Sequence, residues 1–435
     1  MALNIPLLRW ESLGEDERHR LIERAQPDWE GLIAEVAPLV ESVRREGDAA
    51  VRRLMARFDG ADLPPSKWRV SEAAMEAALD NLSPRLRQAL EREADALRRF
   101  HEAQRPPEMW LKTMRPGVVA GQAVRPLDSV GLYVPGGRAV YPTVMHALGI
   151  PAAVAGVGRV VACVPPRADR PILLAAARLA GVDELYRVGG VAAIAAMAYG
   201  TETVPAVAKI VGPGNLYVQA AKAIVQRRVA IDMLAGPSEV AIIADGKARP
   251  RWVAAEMIAQ AEHDPQSSCL LVSDDEKLLR ATAVELERQL ADLPRRTIAA
   301  SALGEHGALI FTETIAQAAA VINAFAPEHL VLQVDDPWAL LPHIRNAGAV
   351  FLGEWTPVAA GDYATGTNNT LPTGGWARRV SGVSLETFLK RMEVESLTRE
   401  GLAALAGVII PLAEAEGLGG HARSITLRLQ EGGER

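Results

Sequence analysis

The chain has 435 residues, of which 49% are hydrophobic and 23% charged, and its formal net charge is −6. This composition is typical of a globular protein with two or three domains and excludes a disordered chain. A mildly acidic chain without a basic run is a poor candidate for binding nucleic acid or an anionic membrane surface.

Cysteine content and the N-terminal sequence indicate the compartment. The sequence contains two cysteines, Cys163 and Cys269, and neither belongs to a CxxC pair. Disulfide scaffolds and cysteine-rich zinc modules are therefore excluded. The N-terminus lacks the basic-then-apolar order of a signal peptide, and no uncharged apolar run is long enough to cross a bilayer. We expect a cytoplasmic protein that binds neither membranes nor nucleic acid.

The first 128 or so residues are predicted to be mostly helical. Residues 29–58 and 71–105 carry apolar side chains three and four positions apart, with charges between them. This spacing is typical of helices that bury one face. The dipeptide Pro106-Pro107 is predicted to end the helical segment.

From about Asp128, short β-rich runs alternate with helical runs. The strands predicted are Val130–Val134, Val160–Val164, Glu184–Val188, Lys209–Val211, Val240–Ala244, Ser268–Val272 and Ala308–Phe311. The helices predicted are Ile172–Leu179, Ala192–Ala198, Leu216–Val225, Pro250–Glu262, Glu276–Leu290 and Ile315–Phe325. The alternation predicts an α/β fold with mostly parallel sheets, and two such stretches in series favour two similar modules.

The C-terminal part differs from this α/β body. A loop rich in glycine, threonine and asparagine is predicted over Ala359–Gly375, and its length indicates a functional loop. The tail is predicted to contain helices and to end in a strand. The helices expected are Ser384–Met392, Ser396–Gly407 and Ile410–Glu416, and the strand is Ser424–Leu429. Such a tail would form a small domain or an oligomerisation arm.

Two glycine-rich turns follow predicted strands. One contains Gly136 and Gly137, and the other runs from Gly212 to Asn215 at the start of a helix. Both turns could present backbone N–H groups to a phosphate. Neither has the GxGxxG spacing with a downstream acidic residue, so tight turns without a ligand remain the alternative.

One pair of residues suggests half of a metal site. Gln260 and His263 are three positions apart at the end of a helix, so an amide oxygen and an imidazole share a face. The alternative is a histidine stabilised by the helix dipole. We expect His19 and His101, which lie among charged residues, to be exposed. The histidines without a functional pattern are His19, His101, His146, His306 and His343.

Other candidate groups are a carboxylate–imidazole pair and two isolated donors. Glu328 and His329 are adjacent and could act as two general bases, although a solvated turn would look the same. Asp362 in the glycine-rich loop and His421 near the C-terminus are weak signals singly. Together with Gln260 and His263 they would offer nitrogen and oxygen donors suited to zinc, but sequence spacing does not show that they converge.

The chain resembles the histidinol dehydrogenase family over nearly its whole length. The motifs that carry the likeness are ESVRREGDAAVRRLMARFDG, GLYVPGGRAVYP, AGVDELYRVGG, AYGTETVPAVAKIVGPGNLYVQAAK, IDMLAGPSEVAIIAD, AQAEHDPQS, NAFAPEHL, FLGEWTPVAAGDYATGTNN, LPTGG and GHARSITLRL. Any one of these motifs would be weak alone, but their number and order make the assignment specific.

The resemblance implies site residues and cofactors. It implies one Zn²⁺ per subunit and NAD as cofactors. The zinc ligands implied are Gln260, His263, Asp362 and His421. The catalytic pair implied is Glu328 and His329. The substrate-binding residues implied are Ser238, Gln260, His263, His329, Asp362, Asn369, Glu416 and His421. The cofactor-binding residues implied are Tyr133 and Asn215.

The resemblance also implies a domain organisation. It implies two Rossmann-like parallel-sheet domains that are incomplete and duplicated, with a helical N-terminal segment and a small C-terminal dimerisation arm. In a homodimer this arm would complete the partner's site, so Glu416 and His421 would act in the other subunit. The divisions expected are 1–28 for the N-terminal segment, 29–129 with 239–375 for the zinc and catalytic domain, 130–238 for the cofactor domain, and 376–435 for the arm.

The activity implied is the oxidation of L-histidinol to L-histidine through L-histidinal, the last two steps of histidine biosynthesis. Two positions depart from the family pattern. Asn369 replaces a histidine at a substrate contact, and Ala192 replaces a glutamine at a cofactor contact. These departures keep open a related dehydrogenase for another small alcohol, such as a sulfopropanediol. A metal-stabilised binding or scaffold protein is a further alternative, against which the Glu328-His329 pair argues.

Overall fold

A computed structural model describes residues 3–24, 28–136 and 140–431. Its contacts divide the chain into two compact units. The first contains the residues up to Gln104 together with Asp128–Phe388, and the second contains Arg105–Leu127 and the residues from Leu389 onward. A search of the described helices finds none with the length and apolar character to span a membrane.

Strands and helices alternate through most of the first unit, and the elements of both units are numbered together in chain order. The strands are β1 Leu7–Arg9, β2 Arg69–Val70, β3 Met109–Arg115, β4 Val118–Pro126, β5 Val130–Tyr133, β6 Val160–Cys163, β7 Glu184–Tyr186, β8 Lys209–Val211, β9 Ala230–Ile231, β10 Glu239–Ala244, β11 Ser268–Ser273, β12 Gly307–Phe311, β13 His329–Gln333, β14 Ala349–Leu352 and β15 Leu389–Leu397. The helices are α1 Glu15–Glu23, α2 Trp29–Glu46, α3 Asp48–Phe58, α4 Glu72–Asp80, α5 Pro84–Ala103, α6 Pro142–Ala155, α7 Pro171–Ala180, α8 Gly190–Tyr199, α9 Leu216–Val225, α10 Pro250–Ala261, α11 Glu276–Leu290, α12 Arg296–His306, α13 Ile315–Phe325, α14 Pro337–Leu340, α15 Val358–Tyr363, α16 Arg399–Ala415 and α17 Gly419–Glu431.

The first unit contains two sheets with the same strand order. One sheet runs β1-β12-β11-β10-β13-β14 with every pairing parallel. The other runs β2-β7-β6-β5-β8-β9 and is parallel except for β2. The strand order reverses between β10 and β13 in one sheet and between β5 and β8 in the other. The predicted α/β fold with parallel sheets is confirmed.

The sheet around β10 is covered on both faces. Val240, Ile242 and Ala244 point to one face, where they share a core with α10, α11 and α12. Ala241 and Ile243 point to the other face and pack with α13. Successive side chains of a strand alternate between faces, so a strand buried on both sides needs a continuous apolar run. This requirement explains why the sequence of β10 is apolar after Glu239 rather than alternating.

Helices α2–α5 pack with the helices that cover the β5 sheet. Helix α2 contacts α8 and α9, α4 contacts α7, and α5 contacts α6. The reason is the apolar stripe of α2, because Val36, Val40 and Val43 share a core with the alanine-rich α8. Strands β3 and β4 replace the last part of the expected helical region, and they belong to the second unit.

The second unit differs from the predicted helical tail at both ends. Its sheet has the order β15-β4-β3 and is antiparallel. The helix expected over Ser384–Met392 is wrong, because a short 3₁₀ turn leads into β15, whose pairing with β4 overrides local helix preference. The strand expected over Ser424–Leu429 is also wrong, since it lies within α17. There Ala422, Ile425 and Leu429 follow helical spacing.

The glycine-rich loop expected from Ala359 contains a short helix at its start, which is α15. The turn after β8 is fixed by a buried ion pair. The Lys222 ammonium donates to the carbonyl of Gly212 at 2.8 Å and pairs with Asp232. Asp232 in turn accepts the N–H of Gly212 at 2.8 Å. Both side chains are almost completely buried, so neither charge has water as a substitute partner.

Replacing Lys222 by methionine would therefore leave the Asp232 carboxylate buried and unpaired. We expect the free energy of unfolding to fall by about 3–5 kcal/mol, the range seen when a buried pair is broken. The measurement is chemical or thermal unfolding of the purified variant. The matched control is Lys247→Met, which removes an exposed pair with Asp335 and should leave stability unchanged. Equal losses in both variants would contradict the role given to Lys222.

Candidate active site

The predicted catalytic pair lies where two neighbouring strands begin. Strand β10 begins at Glu239, β13 begins at His329, and the parallel register sets Val240 opposite His329. Glu328 and His329 are 7% and 5% exposed, so both are buried rather than part of a solvated turn. The β10–β13 register therefore brings Glu239 beside the pair.

The main chain of Glu239 fixes both members of the pair. Its N–H donates to Oε2 of Glu328 at 2.8 Å, and its carbonyl lies 3.0 Å from Nδ1 of His329. A carbonyl can only accept, so Nδ1 carries the proton and Nε2 carries the lone pair. Among the described residues Nε2 has no hydrogen-bond partner, and it lies 4.0 Å from Oδ1 of Asp362. The imidazole is thus oriented as a base with a free nitrogen.

Burial moves the pKa values of the two groups in opposite directions. It raises the pKa of Glu328 well above its ordinary value, and the nearby carboxylates of Glu239 and Asp362 raise it further. Burial lowers the pKa of His329 to about 4, with a smaller contribution from His263. His329 is therefore a neutral base at neutral pH. Oppositely shifted pKa values in one site are typical of acid–base assignments.

Three predicted ligands lie on α10, α15 and the turn after α10. Gln260 is buried near the end of α10, and the N–H of His263 donates to its carbonyl. Asp362 lies on α15, which is tied to α10 because Glu256 accepts the N–H of Val358 at 3.0 Å. Burial raises the pKa of Asp362 to about 6, and Glu256 adds to the rise. Burial also lowers the pKa of His263.

These donors fit a divalent metal such as zinc. A neutral imidazole, an amide oxygen and a carboxylate are donors that zinc accepts. The Asp362 carboxylate is largely buried. The basic side chain described beside it is the imidazole of His329, which is neutral at pH 7 and does not balance the carboxylate's charge. A cation would compensate this buried charge. Among the described residues, no group of three or more His, Cys, Asp and Glu side chains is arranged to hold a metal. The three predicted ligands in this unit do not form such a group, because one of them is a glutamine.

Two predicted site residues belong to the second unit. Glu416 caps the C-terminus of α16, and His421 lies in the first turn of α17. Both residues are exposed. Their expected roles in a partner subunit's site stay predictions.

The two predicted cofactor residues lie at turns that touch each other. Tyr133 ends β5, and its hydroxyl accepts the N–H of Gly190 at 3.2 Å. Asn215 caps α9 by accepting the N–H of Val218 at 3.1 Å. At Gly212, where φ is +132°, a Cβ would lie 2.2 Å from the carbonyl oxygen of Tyr133. These turns follow adjacent strands where the strand order reverses, which is the usual ligand crevice of such sheets.

The two residues that depart from the family pattern, Ala192 and Asn369, lie in different parts of the first unit. Ala192 is buried on α8, close after Gly190. Asn369 has its Nδ2 3.5 Å from the carbonyl of Asp362, and its buried Oδ1 has no partner in the described part of the chain. Ser238 precedes Glu239, and its carbonyl accepts the N–H of Ser268. Residues 137–139 of the first glycine turn lie outside the described residues.

The expectation that His101 is exposed is wrong. His101, which was expected to be exposed, is fully buried and bonds to Gln104 through Nδ1 at 2.9 Å. His146 is also buried and forms a hydrogen bond with Glu93 through Nδ1. A signal for His101 was present, because it continues the buried positions of α5 at helical spacing. Those positions are Leu90, Ala94 and Leu97.

Sequence reasoning also missed the residues that support the site. Glu239 was seen only within a motif, and Glu256 only as part of a helix. Arg24, which pairs with Glu239, lies 215 positions away in the sequence. No local pattern of the sequence links Arg24 to the site.

Comparisons with known proteins agree with the motifs. A family model described as histidinol dehydrogenase matches residues 22–429. A histidinol dehydrogenase of Methanothermobacter thermautotrophicus is 48% identical over 414 residues, covering 94% of this chain and 96% of the relative. One of Moorella thermoacetica is 46% identical over 427 residues, covering 98% and 99%. A crystal structure of histidinol dehydrogenase from Elizabethkingia anophelis has a TM-score of 0.93 and 38% identity, covering 99% of both chains. The resemblance is confirmed, and the chain belongs to the histidinol dehydrogenase family.

Proposed function

We propose that the chain is a zinc-dependent, NAD-linked dehydrogenase that oxidises L-histidinol to L-histidine through L-histidinal. The observation that carries this proposal is the pair of buried bases held by the main-chain N–H and carbonyl of Glu239. The relatives named above support histidinol as the substrate rather than another small alcohol. A binding or scaffold protein would have no need for two adjacent bases.

His329 would serve the first oxidation. Its free Nε2 would accept the hydroxyl proton of the alcohol, and NAD, when bound, would supply the oxidant that takes up the hydride from the same carbon. Glu328 would serve the second oxidation. Its carboxylate would take a proton from water as the water oxygen bonds to the aldehyde carbon, and the resulting hydrate would become the acid by losing a second hydride to NAD. Two bases suit this sequence because one proton comes from an alcohol and another from water.

Gln260, His263 and Asp362, with His421 from the partner subunit's arm, would hold the metal. When bound, zinc holds the amino alcohol in place and carries out no redox chemistry. Ser238, Asn369 and Glu416 would contact the substrate. The unpartnered Oδ1 of Asn369 is an acceptor for an N–H group of such a substrate.

Tyr133 and Asn215 would bind NAD at the reversal between β5 and β8. We further propose that the two sheets are incomplete Rossmann-like modules produced by duplication. Their shared strand order supports this, because a doubly wound fold uses the same central order. Two free buried cysteines are consistent with the predicted cytoplasmic location.

The second unit would form the dimerisation arm. Exposed apolar side chains are concentrated there, since it contains ten of the nineteen large hydrophobic residues exposed in the described part of the chain. These ten are Met109, Trp110, Leu111, Met114, Met392, Leu397, Val408, Leu412, Leu418 and Leu427. Large apolar patches on soluble proteins mark interaction surfaces.

Glu328→Gln tests the division of labour between the bases. Glutamine keeps the size of the side chain and can still accept the Glu239 N–H, but it cannot take a proton from water. We expect the aldehyde step to slow by about 10²–10⁴-fold, the usual contribution of a general base. Rapid-mixing assays should then show one NADH formed quickly per histidinol instead of two. His329→Asn is the comparison and should impair both steps, whereas full-rate acid formation by Glu328→Gln would contradict the assignment.

Co-expression of two inactive variants tests whether the arm serves the partner. His421→Ala would damage the partner subunit's site, because the arm is proposed to complete that site. His329→Asn would damage the site of the subunit that carries the change. A mixed dimer then retains one intact site, so random pairing in a twofold dimer should restore about one quarter of wild-type activity.

The matched control for this experiment pairs Glu328→Gln with His329→Asn. Both changes lie in the same subunit's site, so every site in the mixed dimer carries a defect. Size measurement by light scattering confirms the dimer in each preparation. If the first mixture is no more active than its parents while the dimers form, the proposed exchange of arms is wrong.

A further inference from the structure

Arg24 contacts the residue that fixes the catalytic pair. Its Nε lies 2.7 Å from Oε1 of Glu239, and its Nη2 donates to Oε2 at 2.9 Å. Glu239 is held from another side by the N–H of Gly374 at 3.0 Å. The guanidinium carbon of Arg24 also lies 3.5 Å from the ring centre of Phe325, which ends α13 three positions before Glu328. Arg24 therefore contacts both Glu239, which holds the pair, and the end of the helix that precedes the pair.

The backbone at Arg24 is strained. Its φ is +61°, in the left-handed region that glycine adopts freely and other residues avoid. Among the described residues only one other non-glycine residue has a positive φ, and it is Ala326, two positions before Glu328. Strain of this kind persists where surrounding contacts enforce it, often at functional sites. An arginine at a position suited to glycine indicates that its side chain is needed.

The positive charge of Arg24 stabilises the buried carboxylate of Glu239. Glu239 and Glu328 are both buried carboxyl groups, and the N–H of one binds the side chain of the other. Burial raises the pKa of Glu239, and Arg24 opposes this rise. Without a buried cation, Glu239 would protonate or move toward water. Either change would displace the main-chain N–H and carbonyl of Glu239 that orient Glu328 and His329.

We propose that Arg24 is a positioning residue for the oxidation. It keeps the Glu239 side chain charged and fixed, and the N–H and carbonyl of Glu239 then hold Glu328 and His329. This inference rests on the proposed function, because it assigns Arg24 to the same pair of bases. Arg24 touches neither base directly in the contacts described, so it acts through Glu239 and the Phe325 ring.

The test compares Arg24→Met with Arg24→Lys in the full-length, zinc-loaded protein. Rates are measured with histidinol and with histidinal, so that each oxidation is observed separately. We expect Arg24→Met to lower kcat by about 100-fold in both oxidations, the loss typical of a misplaced catalytic group, with little change in KM for NAD. Arg24→Lys restores the cation and should recover part of the loss.

Two further variants separate positioning from stability. Arg18→Met is the matched control, because Arg18 is another N-terminal arginine stacked on an aromatic ring, that of Trp10, and should keep wild-type activity. The double variant Arg24→Met with Glu239→Gln keeps the main-chain N–H and carbonyl of residue 239 but removes the charge that requires Arg24. We expect it to be more active than Arg24→Met alone, since the two positions are coupled. Circular dichroism and thermal midpoints establish folding.

Each outcome decides one of the two proposals. A folded Arg24→Met with wild-type kcat, or with a loss confined to KM for NAD, overturns the role of Arg24. If Arg24→Met does not fold, the lysine and double variants decide. The role of Arg24 predicts a kcat between the wild-type value and a loss of about 100-fold in both variants. A wild-type kcat in both variants, or a loss of about 100-fold in both, overturns it. A wild-type protein that does not oxidise histidinol overturns the proposed function instead, and the two failures are therefore distinguishable.

Discussion

The parallel pairing of β10 with β13 is the constraint on which the site depends. It sets the first residue of β10 beside the residues that begin β13, so the main-chain N–H and carbonyl of one residue, Glu239, reach two consecutive side chains. A slip of one residue would reverse the faces of β13 and remove both contacts. The register is secured by apolar side chains packed on both faces of these strands.

The same packing accounts for the chemistry of the pair. Because the strand ends are buried, water does not stabilise the charged forms of Glu328 or His329, and their pKa values move apart. The Glu239 carbonyl selects the His329 tautomer that leaves Nε2 free. The site therefore obtains a neutral imidazole and a carboxyl group of raised pKa from one structural arrangement. Both strained backbone positions adjoin this arrangement, since Arg24 pairs with Glu239 and Ala326 lies two residues before Glu328, and they fit a site held by its surroundings.

The sequence predicted the parts of this molecule that are encoded locally. The alternation of strands and helices from Val130 to Phe325 yields the parallel sheets, and the spacing of Gln260 and His263 puts both at one helix end. Other features depend on contacts between distant residues. The pairing of β15 with β4 joins segments far apart in the chain, and local propensity at Ser384–Met392 favoured a helix instead. The Arg24–Glu239 contact has no local pattern at all. The convergence of Asp362 with His329 likewise needed the fold.

The central claim is that this site oxidises histidinol twice with NAD and depends on zinc. The most direct measurement is the number of NADH molecules formed per L-histidinol consumed by purified, zinc-loaded protein, beside a sample treated with a chelator. The account predicts two NADH per histidinol, loss of turnover on chelation, and recovery when zinc is returned. Protein that retains bound zinc but turns over no histidinol would contradict the account, and Asn369 would then be the first residue to examine for a different substrate.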